Sequence, residues 1–547
     1  MKRNLQVFYA FFSGIILALA IQNELMPFGN PFLGLLALIP LYTALSSVKT
    51  PRMAGILFSI QITVTHLLSS FWLGFFKEFA IFTIGGTALW YCISGYFIGQ
   101  LFYAVFFIPK HKILYISSGK DSWFIPRRVM LFTSLMLLYE WNKSTGFLAY
   151  PWGTVYMSSY SWKTITQIAS ITGTAGISAL FILFSSVIAE GYILLDSARI
   201  RSSNNTNRSY AMTAAFCISM FALSTIYGVY EYTKNREPVK YMETVIVQQN
   251  TDDWIDGSDE NGILISQELT SKAISDKGNK PDIVLWSELV LTYVYFPNYY
   301  EEFFEYPEEK PLLPFIQKTG VPFIIGGYVR FPTKAGEQRE YGNSALYFDK
   351  DATYKGFSAK TRLVPFAELI PYSDKAWMRK FMQKIVGFSS GWTPGKELTL
   401  FSVPLKSGEN VKIANLVCFE DAFSDLCRDY FHLGSEVFIN ITNDSWSKTK
   451  SAEFQHFVVA SFRAIEMRTT LVRSTNSGYS AVVNPAGKVL YDMPLFTADS
   501  LCATVPVYKK EMTPYALLGN WLPLLCGVFL LTSFILAVFF RFKEDHE

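Results

Sequence analysis

Apolar positions crowd the first 235 residues and the last 30 of this chain, and between them they alternate with polar ones in short runs. A membrane crossing needs about 20 mostly apolar residues. Eight stretches meet that description: 4–22, 31–47, 53–76, 79–108, 128–145, 171–195, 210–231 and 517–541. The first has the outline of a signal peptide, with Lys2 and Arg3 ahead of it and Ala18-Leu19-Ala20 as a cleavage-like site. Its apolar run is long for a signal peptide, so it is expected to stay as an uncleaved span. The fourth is long enough to tilt, or to break at Gly86 or Gly95.

Basic residues in short loops set orientation. With the N-terminus in the cytoplasm, the inner segments hold Lys2, Arg3, Lys49, Arg52, Lys110, Lys112, Lys120, Arg127, Arg128, Arg199, Arg201, Arg208, Arg541 and Lys543. The outer short loops hold little beyond Lys77 and Lys163. Seven crossings over residues 1–235 then deliver 240–510 to the outside, and 515–547 supply an eighth crossing and a cytoplasmic tail.

The segment 240–510 has another rhythm. Short apolar or β-branched runs recur at Thr244–Val247, Ile283–Trp286, Phe323–Gly326, Ala345–Phe348, Val411–Cys418, Val437–Ile441, Leu471–Ser474 and Ser480–Val483. Helix-like stretches such as 261–276 and 452–468 separate several of them. Strands alternating with helices predict an α/β domain, and about 270 residues suffice for one sizeable core.

Composition agrees. Half the chain is hydrophobic and only 17% is charged, against about 25% in soluble proteins. A net charge of +3 lacks the basic stripe of a nucleic-acid binder. The apolar content excludes disorder as the main theme. None of the six cysteines (92, 217, 418, 427, 502, 526) forms a C-x-x-C pair, so neither a zinc ribbon nor a thioredoxin-like site is indicated.

Three strand ends carry candidate chemistry. Asp282-Ile-Val-Leu-Trp286-Ser287-Glu288 runs an apolar strand into a carboxylate, where ligands of open α/β sheets gather; the plainer alternative is a solvated loop glutamate. In Lys360-Thr-Arg-Leu-Val-Pro365-Phe-Ala-Glu368-Leu-Ile-Pro371, two prolines bracket a carboxylate shortly after a lysine, which read alone is a surface residue. Ala414-Asn-Leu-Val-Cys418-Phe419-Glu420-Asp421 ends a strand in a cysteine, which alone is more often an inert buried thiol. Together the three supply an acyl-transfer set. A thiol needs a base to become the attacking thiolate, and Glu288 serves if burial raises its pKa. An ammonium and a backbone N–H stabilise the oxyanion.

The order Glu288, Lys360, Cys418 resembles the Glu-Lys-Cys triad of the nitrilase superfamily. The surrounding motifs resemble its membrane-bound branch, the bacterial apolipoprotein N-acyltransferases. Asn440-Ile-Thr-Asn-Asp-Ser-Trp446, Gln455-His456, Arg463-Ala-Ile-Glu466, Arg473-Ser-Thr-Asn-Ser-Gly478 and Pro485-Ala-Gly487 fit that pattern. So do Tyr150-Pro-Trp-Gly-Thr154 and Gln167-Ile-Ala-Ser-Ile-Thr-Gly173-Thr-Ala-Gly176-Ile-Ser178 in the apolar region. The likeness spans nearly the whole chain. It departs at Ser287, Phe419, Ser447-Lys448 and Glu453, and none of these removes a triad member.

The resemblance implies a helical membrane domain of about eight spans plus an αββα sandwich. It implies an enzyme that moves an acyl chain from a phospholipid, through a Cys418 thioester, to the α-amine of a diacylglyceryl-cysteine lipoprotein. Glu288 would be the base and Lys360 the oxyanion partner with the N–H of Phe419. Glu368 would orient Lys360, Glu420 would steady the Cys418 loop, and Asn343 would help hold the site. Trp446 and Trp286 would contact substrate. No cofactor or metal is expected, and a monomer is. The location implied is a bacterial inner membrane, with the catalytic domain periplasmic and both termini cytoplasmic. Two segments, 291–300 and 377–388, look like lipid-facing arms, the second with apolar and basic faces at helical spacing.

Other readings make different demands. A membrane-tethered amidase shares the triad but uses water as acceptor, and an anchor has no need of eight spans. A transporter calls for mid-membrane charges or internal repeats, which this sequence lacks. A catalytically dead scaffold has no use for an intact triad.

Overall fold

The structure is a computed structural model that describes residues 1–76, 80–106, 124–146, 148–198, 204–252, 258–296, 300–332, 340–365, 367–369, 372, 375–386 and 391–544. The chain gathers into two compact units. The first comprises Met1–Leu73, Ile84–Lys234 and Leu517–Glu547, and the second Gly74–Thr83 and Asn235–Ala516.

The first unit is helical. Its helices are α1 (Arg3–Ala20), α2 (Pro31–Leu36), α3 (Ile39–Leu45), α4 (Pro51–Ser69), α5 (Thr87–Phe106), α6 (Phe124–Lys143), α7 (Lys163–Thr166), α8 (Ala169–Thr172), α9 (Thr174–Ala198) and α10 (Asn204–Thr233). Asn30 caps α2 by accepting from the N–H groups of Phe32 and Leu33. The second apolar run splits into α2 and α3 where Pro40 opens α3, a position at which its missing N–H costs nothing. Among the described residues, four helices are long and apolar enough to cross a membrane: Arg3–Ala20, Ile81–Phe106, Thr174–Leu195 and Asn207–Thr233. Helix α6, which carries Arg127, Arg128, Glu140 and Lys143, falls outside that set. Of the orienting residues, Lys77, Lys110, Lys112, Lys120, Arg199 and Arg201 lie outside the described residues.

Helices α4 and α5 meet backbone to backbone. A Cβ on Gly99 would lie 2.3 Å from the carbonyl oxygen of Ala54. Such close approach through small residues is how helices pack where apolar burial gives no driving force. Charge inside this unit is paired: Glu190 accepts from the Tyr42 hydroxyl at 2.5 Å and lies 3.0 Å from Arg128 Nε. Glu140 accepts from the Val155 N–H and the Ser178 hydroxyl.

Among the described residues, the second unit holds thirteen strands in two sheets. They are β1 (Pro238–Gln248), β2 (Ile283–Leu285), β3 (Leu291–Phe296), β4 (Phe323–Arg330), β5 (Tyr341–Phe348), β6 (Tyr354–Ala359), β7 (Leu400–Pro404), β8 (Asn410–Val417), β9 (Val437–Thr442), β10 (Thr470–Thr475), β11 (Ala481–Val483), β12 (Val489–Asp492) and β13 (Asp499–Tyr508). One sheet runs β13-β1-β2-β4-β5-β6, with β3 also paired to β4. The other runs β12-β11-β10-β9-β8-β7. Every short run read from the sequence falls on one of these strands and overshoots it by at most one residue.

Period-two alternation sorts the layers. Met242, Ile246, Ile283 and Leu285 face the second sheet and pack with Ile413, Val417, Ile439 and Val472. Val245, Val247 and Val284 face the opposite way, against Ile263 of α11 (Ser258–Lys277) and Leu312 and Ile316 of α12 (Leu312–Thr319). Helices α13 (Ala376–Val386), α14 (Ser424–Leu433), α15 (Lys450–Met467) and α16 (Pro514–Leu518) follow, and α17 (Trp521–Glu544) returns to the first unit.

Two expectations change here. Residues 291–296 were expected to form a lipid-facing arm, but their main chain is strand β3, paired at Leu291 with Gly327 and at Phe296 with Val329. Pro297, Asn298 and Tyr299 of that arm lie outside the described residues. Gly74–Thr83, assigned above to the third and fourth apolar runs, belongs to the second unit. There the ring of Phe76 packs on Trp446, centroid to centroid 4.3 Å.

Candidate active site

Three strand ends meet at one pole of the sandwich. Glu288 lies just past β2, Lys360 directly follows β6, and Cys418 directly follows β8. All three side chains are described. Glu288 and Lys360 are buried, and Cys418 is partly exposed.

Glu288 is held at both oxygens. Asn343 Nδ2 donates to Oε1 at 2.6 Å, and the Asn443 N–H donates to Oε2 at 2.8 Å. Strand β4 makes room for this. A Cβ on Gly326 would lie 2.5 Å from the Cα of Glu288 and 2.4 Å from the carbonyl oxygen of Ser287, so only glycine lets the strand pass so close. Ser287, a departure noted above, exchanges hydrogen bonds with the Gln249 side chain at 2.6 and 3.0 Å.

Lys360 is fixed by its own backbone. Its N–H donates to the Asn343 carbonyl at 2.7 Å, and its carbonyl accepts from the Gly395 N–H at 2.8 Å. Its Nζ donates to Glu368 Oε1 at 2.7 Å and lies 3.7 Å from Glu288 Oε1. Glu368 is oriented in turn by the Val364 N–H, 2.8 Å from Oε2. The same Nζ lies 5.2 Å from the centroid of the Phe419 ring. Phe366, Ile370 and Pro371 of this motif lie outside the described residues.

Cys418 opens a short 3-10 turn, Cys418–Ala422, with φ +56°. A side-chain-bearing residue in this left-handed region is uncommon, and such residues concentrate at functional sites. Asn440 Nδ2 donates to the Cys418 carbonyl at 2.7 Å. Glu420 locks the turn to the lysine loop: Oε2 accepts from the Val417 N–H, and Oε1 from the N–H groups of Thr361 and Arg362 and the Thr361 hydroxyl.

The electrostatics follow from burial and proximity. Burial pushes the Cys418 thiol well above its ordinary range; Glu288 pushes it further and Lys360 pulls it back. Burial also raises the Glu288 carboxyl, against the pull of Lys360. Burial opposes the charge on Lys360, but Cys418, Glu368 and Glu288 outweigh it and hold the ammonium protonated beyond the usual lysine range. The arrangement groups a thiol held toward its neutral form, a carboxyl raised above its ordinary range, and a cation 3.7 Å from that carboxyl.

The two tryptophans part company. Trp446 is half-buried near the surface of the unit, against Phe76. Trp286 is fully buried, packs edge-on to Phe323, and donates to the Thr270 hydroxyl at 3.0 Å. It faces the outer core because strand alternation puts it on the side of Val284. Packing therefore replaces the substrate contact expected of it. On α13, Trp377 and Phe381 are exposed while Met382 is buried. Gly387 and Phe388 of that arm lie outside the described residues.

Sequence reasoning missed a neighbouring group of buried charges. His456 lies between Asp421 and Asp444, and Arg473 pairs with Asp421. The available signal was Arg473, a guanidinium inside the wholly buried run Thr470–Thr475.

Similarity to known proteins points the same way. A carbon-nitrogen hydrolase profile matches residues 246–512, and an apolipoprotein N-acyltransferase N-terminal domain profile matches 13–187. Apolipoprotein N-acyltransferase 2 of Treponema denticola is 40% identical, over 98% of this chain and 98% of its own length. Its Treponema pallidum counterpart is 36% identical, over 94% and 92%. Apolipoprotein N-acyltransferase of Borreliella burgdorferi is 31% identical, over 98% and 96%.

Proposed function

The chain belongs to the apolipoprotein N-acyltransferase family, and from that premise we propose that Cys418 carries an acyl chain between a membrane phospholipid and an apolipoprotein amine. The activity is N-acyl transfer, and the roles of individual residues are our assignment. Glu288 takes the Cys418 proton, and the thiolate attacks an ester carbonyl of the phospholipid. Lys360 and the N–H of Phe419 stabilise the tetrahedral oxyanion. Glu288 returns the proton to the departing glycerol oxygen, a lysophospholipid leaves, and the acyl chain remains on Cys418 as a thioester. Glu288 then takes a proton from the α-amine of an N-terminal diacylglyceryl-cysteine, and the amine displaces the thiolate to form an amide. Splitting one transfer in two is the logic of covalent catalysis, and a thioester is more reactive toward an amine than the ester it came from.

The observation that carries this reading is the buried Lys360 ammonium, 2.7 Å from Glu368 and 3.7 Å from Glu288, in the electrostatic company of a thiol in the left-handed region. Such a cation is costly to bury unless negative charge develops beside it. Glu368 and Asn343 keep Lys360 and Glu288 in place, and Glu420 keeps the nucleophile's turn against the lysine loop.

For the whole chain we infer eight crossings of a bacterial inner membrane, residues 240–510 on the periplasmic side and both termini in the cytoplasm. The bias of lysine and arginine between alternate loops supports this. Trp377 and Phe381, exposed on α13, suit a helix lying in the lipid interface, and Trp446 suits a wall for the acyl chain or headgroup. The test supplies phospholipid and a diacylglyceryl-cysteine peptide to the full-length protein. Amide and lysophospholipid should appear in equal amounts, and Cys418→Ala should give neither. Ammonia released from small amides without lysophospholipid would overturn the reading in favour of an amidase.

A further inference from the structure

His456 sits on α15 with only 4% of its surface exposed. Its Nδ1 lies 2.8 Å from Asp444 Oδ2, and its Nε2 lies 2.9 Å from Asp421 Oδ1. A neutral imidazole has one N–H, so one of these contacts would then set a lone pair against a carboxylate. Only the imidazolium makes both of them charge-assisted hydrogen bonds.

The two carboxylates belong to different halves of the site. Asp421 is part of the turn that begins with Cys418. Asp444 follows Asn443, whose N–H holds Glu288 Oε2. The ring therefore ties the Cys418 turn to the segment after β9, whose Asn443 N–H holds Glu288. Arg473, from β10, pairs with Asp421 and lies 3.8 Å from Asp444. Glu453, one turn earlier on α15, faces the same cluster; burial and then Asp444 push its carboxyl well above the usual range, which favours its neutral form. From α14, Cys427 lies within reach of Asp421, and burial keeps it a thiol. With the imidazolium, two anions balance two cations; without its proton, a net negative charge is left where no member is exposed. Asp444 also adds to the field that opposes the Cys418 thiolate, and the imidazolium offsets that field.

We propose that His456, as the imidazolium, is a positioning residue for acyl transfer: it locks the Cys418 turn to the Asn443-Asp444 segment that holds Glu288, and so fixes the distance over which the proton moves. The proposal rests on the assignment of Glu288 as base and Cys418 as nucleophile. His456 is not assigned a contact with lipid, so its loss should lower the rate of Cys418 acylation and leave the KM for phospholipid in place. Burial alone would lower its pKa, but Asp444 and Asp421 raise it to about 9, so wild-type acylation should fall off as pH passes that value.

The test measures single-turnover thioester formation on the full-length protein in phospholipid micelles, from neutral pH to beyond the alkaline limb, for wild type and His456→Gln. Expected for the variant are a rate roughly 10- to 100-fold lower, an unchanged KM, and an alkaline limb near pH 9 that disappears. Side-chain 15N spectra of histidine-labelled wild type supply a readout that survives a misfolded variant: among five histidines, His456 should show both ring nitrogens protonated at neutral pH. A wild-type rate in His456→Gln, an alkaline limb that persists in it, or a neutral ring at neutral pH would each overturn the proposal. Absence of any thioester on wild-type Cys418 would instead overturn the catalytic assignment on which it rests.

Discussion

Two groups of buried charge lie side by side in the second unit, and they are built to opposite rules. In the first, the Lys360 ammonium lies against two carboxylates, Glu288 and Glu368. The oxygens of Glu288 are further held by uncharged donors, an amide and a backbone N–H. Around His456 there are Asp421 and Asp444 against Arg473 and the imidazolium, each anion meeting both cations. The first group has negative charge to spare and a neutral thiol, so it can accept a proton and gain from a developing oxyanion. The second is balanced, with nothing to gain from a reaction, and it holds loops in register. Imbalance marks the chemistry and balance marks the frame.

The strongest way to break the comparison is to remove the spare charge. Glu288→Gln keeps shape but accepts no proton, so acyl transfer should fall roughly 10²- to 10⁴-fold, read as initial rate on phospholipid and peptide. In the proposed mechanism Glu288 works only as the carboxylate, and burial raises its pKa from 4.5. Activity should therefore decline on the acid side at a pH above the ordinary carboxylate range. Lys360→Met removes the one cation and should cost roughly 10²- to 10³-fold in kcat. It should also lower melting temperature, because the buried Glu288 and the half-buried Glu368 are then left without their cation.

Finer changes sharpen the contrast. Asn343→Ala removes a bond that favours the ionised form of Glu288. Its acid limb should move to higher pH, with a loss of roughly tenfold at neutral pH. The smallest effect belongs to the balanced group. His456 has a folded pKa of about 9 against 6.5 for the free side chain. Its contribution to stability is thus complete below pH 6.5 and fades as pH rises through the folded value. Melting temperature should drop by a few degrees across that window in wild type and stay flatter in His456→Gln.

Much of this was readable in the sequence because the candidate catalytic residues lie at the ends of contiguous apolar runs. Trp286-Ser287-Glu288 and Val417-Cys418 announce themselves by where the strand stops, and Lys360 by the Pro-bracketed loop that follows. Glu420, expected to steady the Cys418 loop, makes four hydrogen bonds that no local pattern specifies. What stayed hidden depends on distant pairing. Strand β13 lies against β1 from more than 200 residues away, and no periodicity reports such a partner. His456 and Asp444 sit in motifs quoted above, but nothing local pairs them until α15 folds onto the turn after β8. Trp286 was misjudged because closeness to Glu288 in sequence says nothing of the face it takes: alternation sends it to the outer core.

The central claim is that Cys418 holds the acyl chain. Intact mass of the full-length protein after exposure to one defined phospholipid, with no acceptor present, tests it directly. The account predicts a gain of a single acyl mass, absent in Cys418→Ala, and discharged when a diacylglyceryl-cysteine peptide is added. An adduct that persists in Cys418→Ala, or amide formed by wild type without any acylated enzyme, would contradict it.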